Sequence, residues 1–189
     1  MGLKYYANIN DTTLSDLLRQ GNIKTENPFI DFSDYSWQDS PDTGRIKGAY
    51  IIFYQGGTID HEIHVTETVL QSSAESEYNS ACTAGMDLVH FRMLIHELLS
   101  KDPDIVPEEV LPIILDSKSA VCISNTGKDT KHTRQIARRI YLVRNGEKCK
   151  MHNIDWCEGG LHLAEISTKN VGDNDLNIKM KYIMVRLYN

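Results

Sequence analysis

Two apolar stretches that each stop at an aspartate constrain this chain more than any other feature. Phe29-Ile30-Asp31-Phe32-Ser33-Asp34 alternates as a strand does, with Ile30, Phe32 and Asp34 on one face. Leu111-Pro112-Ile113-Ile114-Leu115-Asp116 is apolar on both faces and again ends in an acid. Two core strands of this kind bring both carboxylates to one edge of a sheet. Such an edge offers oxygen ligands from rigid positions, which is what a hard divalent cation requires. Taken singly, each aspartate reads equally well as a turn residue or a helix cap.

With 189 residues, 41% of them hydrophobic, the chain can bury a real core in one domain with some excess, or in two small ones. No run is long and apolar enough to span a bilayer, and Met1-Gly2-Leu3-Lys4-Tyr5-Tyr6 lacks a signal peptide's apolar centre. Cys82, Cys122, Cys149 and Cys157 are scattered without a disulfide-framework pattern, so a reduced, intracellular protein is expected, with no membrane partner. The net charge of −6 argues against indiscriminate nucleic-acid binding. The charge is uneven, however. Between Lys128 and Lys150 lie Lys131, Arg134, Arg138, Arg139, Arg144 and Lys148, against only Asp129 and Glu147. That block suits a phosphate backbone, and equally a solvated helix face.

Along the chain, residues 1–28 are polar and weakly periodic, with one short helix within Asp11–Leu18, and read as a leader packed on the domain of residues 29–189. After the first strand come a turn-rich loop, a strand at Ala49–Tyr54, a Gln55-Gly56-Gly57 turn and a more exposed strand from Thr58 to Thr68, together an antiparallel meander. A long helix spans about Ser73 to Ser100, opened by the capping pattern Ser72-Ser73-Ala74-Glu75. Its apolar stripe runs Ala81, Ala84, Leu88, Phe91, Ile95, Leu98 and begins at Glu77, a carboxylate on a core-facing line that needs a partner or a metal. Beyond the Asp116 strand the pattern gives a short helix at Ser117–Ser124, a basic amphipathic helix from Thr130 to Arg144 ended by Asn145-Gly146, and a strand over Lys148–Trp156. Two further helices follow, Leu161–Thr168 and Asp175–Tyr188. The order β-β-β-α-β-α-α-β-α-α describes a mixed sheet flanked by helices, in the α/β class.

Five motifs in this order carry a family resemblance: Ser33-Asp34-Tyr35-Ser36-Trp37, Ser72 to Tyr78, Leu115-Asp116-Ser117-Lys118-Ser119-Ala120, Thr130-Lys131-His132, and Leu163-Ala164-Glu165-Ile166-Ser167-Thr168-Lys169. Over about residues 29–170 the chain resembles the ribonuclease H domain of copia-type LTR retrotransposon polyproteins. The resemblance implies an RNase H-like fold with a five-stranded mixed sheet. It implies an endonuclease that cuts the RNA strand of RNA–DNA hybrids with two Mg²⁺ or Mn²⁺ ions. The four acids fall on Asp34, Glu77, Asp116 and Glu165. By the same resemblance Asp34 bridges both metals, Glu77 and Asp116 hold the leaving-group metal, and Glu165 holds the nucleophile-side metal. Ser117, Lys131, His132, Arg134 and Arg138 are then the candidate nucleic-acid contacts. The reverse transcriptase of the same polyprotein is the implied partner, residues 1–28 the tail of its connection, and the cytoplasm, a virus-like particle or the nucleus the implied location.

The chain departs from that pattern in three places. Glu165 stands where the family has aspartate, Ser36 replaces a second aspartate, and Gly44-Arg45-Ile46-Lys47-Gly48 carries Ile-Lys in place of small hydroxyl residues. These changes imply weak catalysis at most, or a rival from another class: an inactive RNase H-like module used for binding or assembly. Three smaller patterns remain. Asp42-Thr43-Gly44 matches the aspartic-protease tripeptide but lacks its apolar flanks. Cys149, His152, Cys157 and His162 have zinc-knuckle spacing, yet strand alternation sends Cys149 and His152 to opposite faces. His162 reads as a surface histidine or as an accessory group that assists product release.

Overall fold

The computed structural model describes residues 13–36, 46–65, 73–99, 109–126 and 137–184; for residues 13, 73–75, 77, 123–126 and 137–140 it describes the backbone alone. Strands β1 (Phe29–Ser36), β2 (Lys47–Tyr54) and β3 (Gly57–Val65) form an antiparallel meander. The β2–β3 turn places Gln55 and Gly56 at φ 48° and 75°, the two positive dihedrals of a tight hairpin turn, and glycine meets the second without strain. β4 (Leu111–Leu115) and β5 (His152–Trp156) then add in parallel, giving the order β3-β2-β1-β4-β5. All eight residues of β1 are buried, as expected of a central strand covered on both faces.

Helices cover the two faces unequally. On one lie α2 (Ser73–Leu99), α3 (Lys118–Thr126) and α4 (Ala137–Lys148), where Tyr78, Ala81, Ala84 and Leu88 meet Phe29, Ile52, Leu111 and Ile113. The other face carries α1 (Thr13–Gln20), the short α5 (Glu165–Thr168) and α6 (Asp173–Ile183). There Leu14, Leu17 and Leu18 of α1 share a core with Ile30, Phe32, Phe53, Ile114 and Leu163. The leader is thus built into the second core, with Leu14 and Leu17 no more than 1% exposed.

Several boundaries differ from the sequence reading. The Leu98 end of the α2 stripe leaves the core and is 72% exposed. A 27-residue helix runs about 40 Å, whereas an eight-residue strand runs about 26 Å, so α2 overhangs the sheet. Asn145-Gly146 does not end α4, which continues to Lys148. Gly146 is there for contact: a Cβ on it would lie 2.0 Å from the His152 ring. β5 accordingly starts at His152, not Lys148, and Lys150 makes the turn at φ 56°. Gly159–Leu161 is a 3-10 turn, and the helix carrying Glu165 begins at Glu165 itself. The Asp42-Thr43-Gly44 tripeptide, the Thr66–Thr68 end of the third strand, the 130–136 start of the basic helix and residues 185–189 lie outside the described residues.

Candidate active site

Asp34 and Asp116 meet through strand register. The parallel β1–β4 pairing sets Asp31 beside Ile113 and Phe32 beside Ile114, and the same offset carried two residues on sets Asp34 beside Asp116. Alternation directs both to the face covered by α5 and α6. The carboxyl ends of neighbouring parallel strands are where open α/β sheets receive ligands. α5 brings the third acid, Glu165, in its first turn.

The three carboxylates gather on one ammonium. Lys169 Nζ lies 2.9 Å from Asp116 Oδ2, 3.3 Å from Glu165 Oε1 and 3.5 Å from Asp34 Oδ2. Burial pulls the Lys169 ammonium down, but the surrounding carboxylates outweigh it and hold the group above the usual lysine range. The other oxygen of Glu165 is 2.5 Å from Lys179 Nζ, which also donates to the Gly159 carbonyl at 3.2 Å and lies 3.4 Å from Asp175. Lys179 is only 1% exposed. The Thr168 hydroxyl donates to Asp34 Oδ2, while Asp34 Oδ1 is buried with no hydrogen-bond partner among the described residues. Thr168, Lys169 and Lys179 were not picked out as site residues from sequence. The first two stand three and four residues after Glu165, the spacing that puts helix side chains on one face; Lys179 offered no such signal.

The donor set suits a hard divalent cation: carboxylate oxygens, one of them orphaned, already arranged around a positive charge. As they stand, no three acidic, histidine or cysteine side chains among the described residues are disposed to hold one ion. Mg²⁺ takes its oxygens at about 2.0–2.1 Å, so those around Lys169 would have to close in by about 1 Å as its ammonium withdraws.

The remaining predicted site residues divide. Glu77 lies on α2, but its side chain is outside the described residues, as is that of Arg138 on α4. Lys131, His132 and Arg134 fall outside them entirely. Ser117 follows Asp116 and accepts the Ala120 N–H at 3.3 Å, capping α3. His162 requires a correction, because it is not a surface group. It is fully buried, its Nε2–H donates to the Ile114 carbonyl at 2.9 Å, and its ring packs edge-on against Phe32. The zinc-knuckle set is dispersed too, with Cys149 exposed, Cys157 in the second core and His152 held to the Val143 carbonyl at 3.0 Å.

Asp31 is a further buried acid, three residues before Asp34 and on the opposite face of β1, toward α2. The Ser33 hydroxyl donates to its Oδ2, and its Oδ1 has no hydrogen-bond partner among the described residues. Burial pushes its carboxyl up to about 8, the Ser33 hydrogen bond opposes the rise, and the Asp87 charge adds to it.

A three-stranded meander extended by two parallel strands, with helices on both faces and acids at the carboxyl edge, is the RNase H-like fold. Solved structures agree. The chain is similar to the N-terminal RNase H domain of Rv2228c from Mycobacterium tuberculosis, with a TM-score of 0.55 at 10% identity, covering 81% of this chain and 96% of that one. RNase H1 from the archaeon Halobacterium salinarum gives 0.54 at 11% identity, covering 79% and 98%. LC11-RNase H1, solved in complex with an RNA/DNA hybrid, gives 0.54 at 15% identity, covering 78% and 99%. No family model and no curated protein matches the chain.

Proposed function

We propose that the chain is a metal-dependent endonuclease hydrolysing the RNA strand of RNA–DNA hybrids, derived from a copia-type retrotransposon and working beside its reverse transcriptase. The observation that carries this reading is the convergence of Asp34, Asp116 and Glu165 on a single cation at the carboxyl edge of an RNase H-like sheet. These three, with Glu77 from α2, would hold two Mg²⁺ or Mn²⁺ ions, which supply an activated water and neutralise charge on the phosphate. Thr168 fixes one oxygen of Asp34 and Lys179 one oxygen of Glu165, so both carboxylates are oriented before substrate arrives. The extra methylene of Glu165 keeps hydrolysis slow with Mg²⁺ and favours Mn²⁺, whose geometry is less demanding. Ser117, beside Asp116, together with Lys131, His132, Arg134 and Arg138, would follow the hybrid's backbone, with discrimination for RNA through 2′-hydroxyls.

The test is cleavage of an end-labelled hybrid with Mg²⁺ or Mn²⁺, beside Asp34→Asn. Metal-dependent cleavage of the RNA strand that the variant lacks is the expected result. One observation favours a second reading, an RNase H-like module without catalysis: Lys169 fills the place a cation would take. Hybrid binding without cleavage in either metal would decide for that module.

A further inference from the structure

β3 is an edge of the sheet, with β2 on one side and no strand among the described residues on the other. The ladder beside it fixes which of its backbone groups are free. The Gln55 N–H donates to the Pro28 carbonyl, a pair that continues the register in which Phe29 faces Tyr54. Antiparallel pairs alternate between bonded and unbonded. Phe53, Ile51 and Ala49 therefore turn their backbone groups to β1, and Ile52, Tyr50 and Gly48 turn theirs to β3. Glu62 and His64, which face Tyr50 and Gly48, are bonded inward. His61, Ile63 and Val65 point N–H and C=O outward, and no described residue bonds to them.

Edge strands ordinarily carry a lysine, a proline, a bulge or a cover that prevents pairing. β3 is protected in this way at its hairpin end. Ile59 is left without a partner in the β2 register, and the Thr58 hydroxyl donates to the Ile183 carbonyl at 3.0 Å. From His61 to Val65 there is neither lysine nor proline, and Ile63 and Val65 are 55% and 48% exposed. The stretch is also held in place. Asp60 accepts from the Tyr50 hydroxyl at 3.1 Å, and His64 Nε2 lies 3.0 Å from the Tyr35 hydroxyl.

We propose that β3 pairs with β3 of a second copy of the chain, antiparallel about a two-fold axis at Ile63, joining two five-stranded sheets into one. Outward groups must meet outward groups, so the axis falls on a residue and not between two. Charge decides which residue. An axis at His61 sets Asp60 against the other copy's Glu62 and runs into the Ile59 bulge, and an axis at Glu62 sets two glutamates face to face. With the axis at Ile63, each Glu62 faces the other copy's His64, the two Ile63 side chains meet, and His61 exchanges backbone bonds with the other copy's Val65. Within one chain Glu62 already lies 4.0 Å from His64 Nδ1, so the pairing sets two such acid–histidine pairs side by side. This self-complementarity makes the occupant a second copy. A five-residue strand is about 17 Å long, which gives an interface smaller than the roughly 800 Å² a side of a stable complex. The dimer is accordingly weak, dissociating on the order of 10–100 µM. The inference stands apart from the nuclease reading, because β3 carries none of the four acids and β2 separates it from β1 and β4.

The test is sedimentation velocity of the full chain from about 1 to about 500 µM, which should show a reversible monomer–dimer equilibrium. Amide hydrogen exchange, which needs no variant, should slow with concentration at His61, Ile63 and Val65. Glu62 and His64, already bonded to β2, should be slow throughout. Ile63→Lys, at an exposed position, sets two ammonium groups at the axis and should weaken the dimer by about tenfold or more. Glu62→Gln should weaken it about threefold relative to Glu97→Gln, an exposed acid on α2 that corrects for net charge. A monomer at every concentration, or no slowing at those three amides, overturns the proposal. So does a dimer that survives Ile63→Lys, which would place association on the exposed apolar residues of α2, or a Glu62→Gln dimer as tight as that of Glu97→Gln.

Discussion

Lys179 Nζ lies 2.5 Å from Glu165 Oε2 in a setting where the lysine is 1% exposed. A buried ammonium of this kind fixes the length of the acid that meets it. Shortening Glu165 to aspartate therefore has two expected effects of opposite sign. On the proposed nuclease reading, single-turnover cleavage of a hybrid should become faster with Mg²⁺, because the carboxylate is drawn back to the reach of an aspartate. The melting temperature should fall, by the equivalent of about 1–3 kcal/mol, because Lys179 loses its closest partner. A rate no higher than wild type would show the glutamate to be a fully accommodated ligand.

Lys169 makes a separate prediction. Clustered carboxylates repel, and removing one would ordinarily relieve the fold. Here Lys169 offsets that repulsion, so Asp116→Asn should not raise metal-free stability, although it should still weaken metal binding. Lys169→Met should lower metal-free stability by about 1–2 kcal/mol, allowing for its partial exposure, and bind Mn²⁺ more tightly in a calorimetric titration. Unchanged affinity would mean that the ammonium does not compete for the site.

Asp31 predicts a pH dependence. Its folded carboxyl sits near 8 against 3.8 for an ordinary aspartate. The folded state therefore holds a proton that the unfolded state has released between about pH 4 and pH 8, and stability falls as pH rises through that window. Asp31→Asn should remove this slope and raise stability at pH 8 by on the order of a few kcal/mol. Urea denaturation at several pH values measures it; a parallel slope in the variant would exonerate Asp31.

Leu17 tests the leader. Its side chain is 1% exposed among Ile30, Phe53 and Leu163. Leu17→Ala should destabilise the whole chain by about 2–5 kcal/mol in a single unfolding transition. A loss confined to the helix content of α1, with the remainder unchanged, would make residues 1–28 a detachable leader.

The element order was legible because periodicity is local: alternation in Phe29–Asp34 and the three-four spacing of Ala81, Ala84 and Leu88 need no tertiary knowledge. Asp116 was legible as a strand-terminal acid for the same reason, whereas Asp34, legible as an acid on the strand's inner face, does not end its strand, because β1 runs on to Ser36. What the sequence hid depends on contacts between distant elements. Lys179 looks like any helical lysine until α6 is laid over Glu165. His162 looks like a surface group because its partner, the Ile114 carbonyl, carries no side-chain signature. Gly146 followed the rule for a helix stop, whereas its actual task is to let α4 approach His152.

The β1–β4 ladder is registered over only two residue pairs, while β4 and β5 match over five and β1 and β2 over eight. The acids straddle that short ladder, Asp34 on β1 and Asp116 just past β4. Beyond Phe32 and Ile114 no ladder pair joins the two strands. The ends that carry the two carboxylates can thus shift relative to each other without a ladder hydrogen bond being broken. Exchange of a bulky ammonium for a compact ion, an approach of about 1 Å, falls at that unladdered end.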